Sequence, residues 1–224
     1  MKKKLIIIGA GEFAEIANEY FSADSDYEVI AFSVENSFIK EKTLANKPIV
    51  PYEDIEKNYP PSDYYLFIAI PSSNLNRLRT RFYLDAKLKN YKFATYISSR
   101  AFIWKNVKIG ENTFIFENNV IQPFVSIGNN CILWSGNHIG HRTVIHNNVF
   151  IASHAVISGY CIVYDNCFIG VNSTLVNNIK IARDCVIGAG ALISKDTQEK
   201  EIYPGIISNV SSVNSHRYYK IKEY

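Results

Sequence analysis

The sequence has no long apolar run, no excess of one charge and no paired cysteine motif, and each absence closes off a class of protein. Lysine and arginine total 24 against 21 aspartate and glutamate, a formal net charge of +3 over 224 residues. That balance gives no basic footprint for nucleic acid or for an anionic membrane. No stretch approaches the roughly 20 apolar residues of a membrane span. The opening Met1-Lys2-Lys3-Lys4 precedes an apolar run of only Leu5 to Ile8, and Gly9, Glu12 and Glu15 follow. That run is shorter than a signal-peptide core and reads better as a buried first strand. These features predict a cytoplasmic protein with no membrane and no nucleic-acid partner. The four cysteines, Cys131, Cys161, Cys167 and Cys185, include no C-x-x-C pair. They predict buried thiols in a reducing compartment rather than disulfides or metal ligands.

What the sequence does have is a period of six. From Ile97, every sixth residue through Ile193 is Ile, Leu or Val, seventeen in succession. A second column lies two residues before each aliphatic and holds mostly small residues: Ala101, Thr113, Cys131, Thr143, Ala155, Cys161, Cys167, Ser173, Cys185 and Ala191. Glycine often follows the aliphatic, as at Gly110, Gly128, Gly140, Gly170 and Gly188. Each hexapeptide makes a short strand and a turn, and three make a triangular coil. The aliphatic fills the prism and the small residue fits the corner. The predicted fold for residues 94–198 is a parallel β-helix. Its left hand is taken from the known hexapeptide coils, against the usual right-handed crossover.

Residues 1–93 lack this period. Strands are predicted at Lys4–Ile8, Tyr27–Phe32, Pro48–Val50, Tyr64–Ile70 and Tyr91–Ala94. Helices are predicted from a Gly9–Ala14 opening to about Phe21 and from about Asn74 to Leu88. The alternation implies a small Rossmann-like parallel α/β sheet. Its first turn, Gly9-x-Gly11-x-x-Ala14, lets backbone and a helix N-terminus approach a phosphate. With Glu12 and Ser33 it forms a candidate nucleotide-sugar site. A nicotinamide dinucleotide fits less well, because the second strand is read as ending before Glu35 and the domain is too short for two mononucleotide halves. A tight strand–helix turn with no ligand is the plain alternative. Residues 199–224 are read as a tail, solvated or packed, with Arg217, Lys220 and Lys222 as candidate contacts to a coenzyme phosphate.

Four of the five histidines, His138, His141, His146 and His154, fall on successive hexapeptides, outside both interior columns. A coil is eighteen residues, so Gly159 stacks over His141. An imidazole beside an exposed backbone N–H suits acyl transfer from a thioester: the ring takes the acceptor's proton and the amide stabilises the oxyanion. An ordinary surface histidine is the plain alternative.

The combination resembles the bacterial sugar acetyltransferases of the sialic-acid O-acetyltransferase and UDP-4-amino-sugar N-acetyltransferase type. The resemblance runs from Lys4 to about Gly205. It is carried by Ile8-Gly9-Ala10-Gly11-Glu12-Phe13-Ala14-Glu15, Phe67-Ile68-Ala69-Ile70, Ile139-Gly140-His141, Phe168-Ile169-Gly170-Val171-Asn172-Ser173 and Val186-Ile187-Gly188-Ala189-Gly190-Ala191. It implies acetyl-CoA as co-substrate and no metal. His141 would be the base, and the Gly159 amide would face the thioester. Gly188 and Ala189 would touch the coenzyme; His138, on the strand before His141, is a further candidate substrate contact. The site would lie between subunits of a homotrimer. Two departures stand out: Arg142 occupies the position where the family commonly carries an acid, and no Pro-Ala-Lys follows Gly205. The expected activity is acetylation of a nucleotide-linked, amino, sugar for a surface glycan. O-acetylation, a non-catalytic nucleotide-sugar-binding trimer and a zinc enzyme like the γ-carbonic anhydrases remain alternatives. The last rests on the His141-x-x-x-x-His146 spacing.

Overall fold

The structure, a computed structural model, describes residues 2–205 and 207–222; Met1, Ile206 and the last two residues of the predicted tail lie outside it. The chain opens with β1 (Lys3–Ile8), α1 (Glu12–Ala23), β2 (Tyr27–Val34), β3 (Thr43–Leu44), β4 (Lys47–Pro51), α2 (Ile55–Asn58), β5 (Tyr64–Ile68), α3 (Arg77–Leu88) and β6 (Lys92–Phe93). The sheet order is β3-β4-β2-β1-β5-β6, parallel except for the β3–β4 hairpin. Leu5 to Ile8 are buried on both faces, as a central parallel strand should be. Two boundaries differ from the sequence reading. Pairing of Ser33 and Val34 with β4 extends β2 to Val34, so Glu35 follows the strand directly. The second long helix starts at Arg77, because Asn74, Leu75 and Asn76 all take left-handed φ values of 50°, 48° and 66°. Leu75 in that conformation is costly for a residue with a Cβ.

From Tyr96 onward the chain winds through two-residue strands that stack into three parallel faces of seven, six and five strands. The first face runs from Tyr96–Ile97 to Ile202–Tyr203, the second from Phe102–Ile103 to Leu192–Ile193, the third from Lys108–Ile109 to Lys180–Ile181. The ladder therefore continues past residue 198. The aliphatic column from Ile115 to Ile193 is at most 4% exposed and forms one core, whereas Ile97, at the open end, is 38% exposed. The small column does more than fit. The Cys131, Cys161, Cys167 and Cys185 thiols donate to carbonyls of the next coil at 3.0–3.1 Å, as the Thr113 and Thr143 hydroxyls do at 3.0 and 2.9 Å. Burial pushes the pKa of the Cys131 and Cys167 thiols up to about 12.

A third column governs the corners. Three residues after each aliphatic, from Asn112 to Gly190, φ is positive without exception. Asn, Asp or Gly fills most of these positions, the residues that enter this region most readily. At one corner the amides stack: Asn112 Nδ2 donates to Asn130 Oδ1 at 2.7 Å, and Asn130 Nδ2 to Asn148 Oδ1 at 2.8 Å.

The three faces differ outside. The outer column of the first face, Tyr96, Phe114, Ile132 and Phe150, is buried against Phe13, Phe21 and their neighbours in a core common to both halves of the chain. The buried Arg79 guanidinium ties α3 to the coil through the Asn130 carbonyl and also bonds the Ile70 and Pro71 carbonyls. The second face leaves Phe102, Val120, Val156 and Leu192 exposed by 38–63%. The C-terminal helix, Ser215–Tyr219, is exposed throughout.

Candidate active site

Two places concentrate chemistry, and they lie on different corners of the coil. The first is a cleft of about 640 Å³ between the N-terminal sheet and the first face. Its walls include Gly9, Gly11, Glu12, Ser33, Glu35 and Lys40 from one side and Trp134 from the coil. Four predicted binding residues, Gly9, Gly11, Glu12 and Ser33, thus come together. The two glycines have different reasons. Gly9 sits at φ +122°, and a Cβ there would lie 2.8 Å from the Ala69 carbonyl oxygen, so the fold itself requires glycine. A Cβ on Gly11 would meet nothing within 4 Å. Gly11 is the N-cap of α1 and supplies no side-chain cap, so the first turn, whose Gly11, Glu12 and Phe13 line the cleft, has no side-chain acceptor. Such a terminus favours an anion. Ser33 is fully buried in the cleft wall, and its hydroxyl has no partner there. Glu35, now directly at the end of β2, is paired with Arg81 at 3.1 Å.

The second place is the corner between the second and third faces, which carries His141. The ring lies flush against Gly159: a Cβ on that glycine would stand 2.6 Å from Cε1 and 2.9 Å from Nε2 of the imidazole. The Tyr160 ring meets it edge-on at 5.1 Å. The Gly159 amide does not stand free as the sequence reading required. Gly159 is buried, and its N–H donates to Asn177 Oδ1 at 2.9 Å. The Arg142 guanidinium lies over the Phe124 ring, 4.4 Å from its centre. The group that does reach the imidazole is Gln122, whose Oε1 lies 3.2 Å from Nδ1. Sequence proximity gives no hint of it, since Gln122 is nineteen residues earlier. The repeat does, because that offset is one coil plus one residue.

The other predicted residues fall elsewhere. His138 sits half-buried on the outer column of the second face, between Val120 and Val156. Gly188 and Ala189 lie on the corner between the first and second faces, the same corner as Trp134. Gly188 is roofed by the Pro204–Gly205 turn, which leaves no room for a Cβ. Ala189 is exposed. His146 stacks on Tyr164 at 4.9 Å. Among the described residues no three His, Cys, Asp or Glu side chains are grouped to hold a metal ion. No helix there is long and apolar enough to cross a membrane.

The coil and its repeat define the class. The family model described as bacterial transferase hexapeptide (six repeats) matches residues 106–141 and 125–159, and the hexapeptide repeat of succinyl-transferase matches residues 162–195. The matched stretch carries the hexapeptide repeat of bacterial transferases, and a Rossmann-like α/β region stands in front of it. Beyond the repeat, the whole chain is similar to the acetyltransferase domain of PglB from Neisseria gonorrhoeae in complex with acetyl coenzyme A, with a TM-score of 0.82 at 19% identity, covering 92% of this chain and 97% of that one. It is similar to a mutant of perosamine N-acetyltransferase from Caulobacter crescentus in complex with CoA and GDP-perosamine (0.81, 20%, 94% and 97%). WeeI from Acinetobacter baumannii matches at 0.73 and 19%, covering 91% and 97%. At these identities the likeness is one of fold, the left-handed β-helix included. No curated protein matches the sequence.

Proposed function

We propose that the protein transfers the acetyl group of acetyl-CoA to the amine of a nucleotide-linked amino sugar, with His141 as general base. The observation that carries this reading is the His141 corner, where an imidazole is held in a glycine notch with no hydrogen bond to Nε2 among the described residues, on a fold shared with structures solved in complex with acetyl coenzyme A and with CoA and GDP-perosamine. The nucleotide diphosphate sits on the Gly9–Gly11 turn and the bare first turn of α1. His141 Nε2 takes a proton as the amine nitrogen attacks the thioester carbonyl. The new C–N bond forms, the C–S bond breaks, and the proton passes to the departing thiolate, so no covalent acyl-enzyme intervenes.

The cleft and His141 are on opposite edges of the second face, so one copy does not complete the site alone. The exposed apolar column of that face favours a homotrimer. There the His141 corner of one copy meets the neighbour's cleft and its Gly188–Ala189 corner, along which the coenzyme lies. For the Gly159 amide to hold the oxyanion it must exchange Asn177 for it, which an anion, the stronger acceptor, favours.

The test is release of free CoA, followed with a thiol reagent, from acetyl-CoA and a panel of UDP-, GDP- and dTDP-linked amino sugars. At least one sugar is expected to support turnover, and His141→Ala to reduce it by about 10²–10⁴. No release with any sugar, or an undiminished rate in His141→Ala, would overturn the reading.

A further inference from the structure

The residue after His141 is a cation, so whatever fixes the imidazole must come from elsewhere in the fold. We infer that Gln122 is the positioning residue of His141 and sets its tautomer. This rests on the reading of His141 as the base, though its structural half does not.

Amide side chains are ambiguous, since oxygen and nitrogen exchange on a flip. Here the backbone removes the ambiguity. The same Gln122 atom lies 2.9 Å from the His141 backbone nitrogen and 3.2 Å from ring Nδ1. A backbone N–H only donates, so that atom is an acceptor, the carbonyl oxygen. A carbonyl oxygen cannot donate in return, so Nδ1 must carry the hydrogen. In neutral imidazole that leaves Nε2 with its lone pair, the state a base requires.

Gln122 is itself held. Its backbone N–H donates to the Ile139 carbonyl at 3.0 Å, and it follows the fully buried Ile121. The Pro123 carbonyl accepts from the Arg142 amide at 3.1 Å, which fixes the two stretches of backbone on either side of the ring. The ring is thus bounded by Gly159, Tyr160 and Gln122. Among the described residues no carboxylate hydrogen-bonds to it. The positioning is done by a neutral acceptor, which orients the ring without placing a charge beside it.

Two-bond ¹H–¹⁵N correlation spectra of ¹⁵N-histidine-labelled full-length protein test this. The hydrogen of His141 is expected on Nδ1 in the wild type and on Nε2 in Gln122→Met. The same variant should lose at least about tenfold in kcat with KM for acetyl-CoA little changed, as expected when a base is misaligned. Gln122→Glu, which keeps the acceptor, should restore both the tautomer and most of the rate. An Nε2-protonated wild type, or a Gln122→Met protein with unchanged tautomer and kcat, would overturn the inference. A His141→Ala protein with full activity would instead sink the functional reading and leave the tautomer result standing.

Discussion

Gly159 illustrates how one missing side chain can shape a site. Its amide is committed to Asn177, and its bare Cα leaves the space in which the His141 ring lies. Gly159→Ala places a methyl within 2.6–3.0 Å of three ring atoms, so the imidazole must move. Because the ring is at the surface, it can yield without unfolding the coil. We expect Gly159→Ala to keep its thermal midpoint within a few degrees while losing about a hundredfold or more in transfer rate, since small misplacements of a reacting group are costly. Thermal unfolding and the CoA-release assay on one preparation check this; a heat-labile variant with normal specific activity would mean that the glycine serves packing alone. His141 is legible in the sequence from its register. Gln122 and Asn177 carry no local motif; only the eighteen-residue coil places them beside His141 and Gly159, and it does not say which of their atoms make contact.

At the scale of the element, the period of six stands in plain view because one position in each hexapeptide fills the prism interior with an aliphatic side chain. The corner column is equally present. Asn106, Asn112, Asn118, Asn130, Asn148, Asn166, Asn172, Asn178 and Asp184 share one register. Its meaning depends on backbone φ, which a hydrophobic pattern does not express. Asn130 tests that column. It is fully buried, holds φ at 57° and links two amides of the ladder. Asn130→Ala should remove both hydrogen bonds and strain the left-handed turn, at a cost of about 2–4 kcal/mol. Chemical denaturation measures it, and a loss under about 0.5 kcal/mol, the low end for a single hydrogen bond, would show the ladder to be incidental. The late start of α3 is hard to read for the same reason: Pro71-Ser72-Ser73 looks like a helix cap, and although Asn74 and Asn76 tolerate a left-handed turn, Leu75 between them argues against one. The Asn76 amide, which donates to the Asn166 and Cys167 carbonyls, shows why the turn is held: it is part of the docking to the coil.

At the scale of the whole molecule, the three faces of the coil have different outer columns, and this organises the rest. The first face is aromatic and covered by the chain's own N-terminal half, through Phe13 and Phe21 packed on Phe114. The second is apolar and uncovered, with Phe102 and Leu192 at 53% and 63% exposure. The third carries Lys108 and Lys180 at its ends. Periodicity separates the two halves of the chain but does not place them against each other, since the columns Tyr96–Phe114–Ile132 and Phe102–Val120–His138 look much alike until one of them is covered. That placement puts the cleft and His141 on opposite edges of the uncovered face, and the proposal of a second copy rests on it.

Complementation between two variants, each inactive for a different reason, tests this directly. One is His141→Ala, which keeps its cleft. The other is Gly11→Arg, whose side chain enters open space at the cleft without a clash in the chain itself. Each alone should release CoA at least about a hundredfold more slowly than wild type with an accepted nucleotide amino sugar. Mixed, partly unfolded and refolded together, they should regain a substantial fraction of wild-type transfer, because some neighbours then pair an intact cleft with an intact His141. If the mixture stays inactive while refolded wild type transfers acetyl normally, the site is not built from two copies and the account fails at its centre.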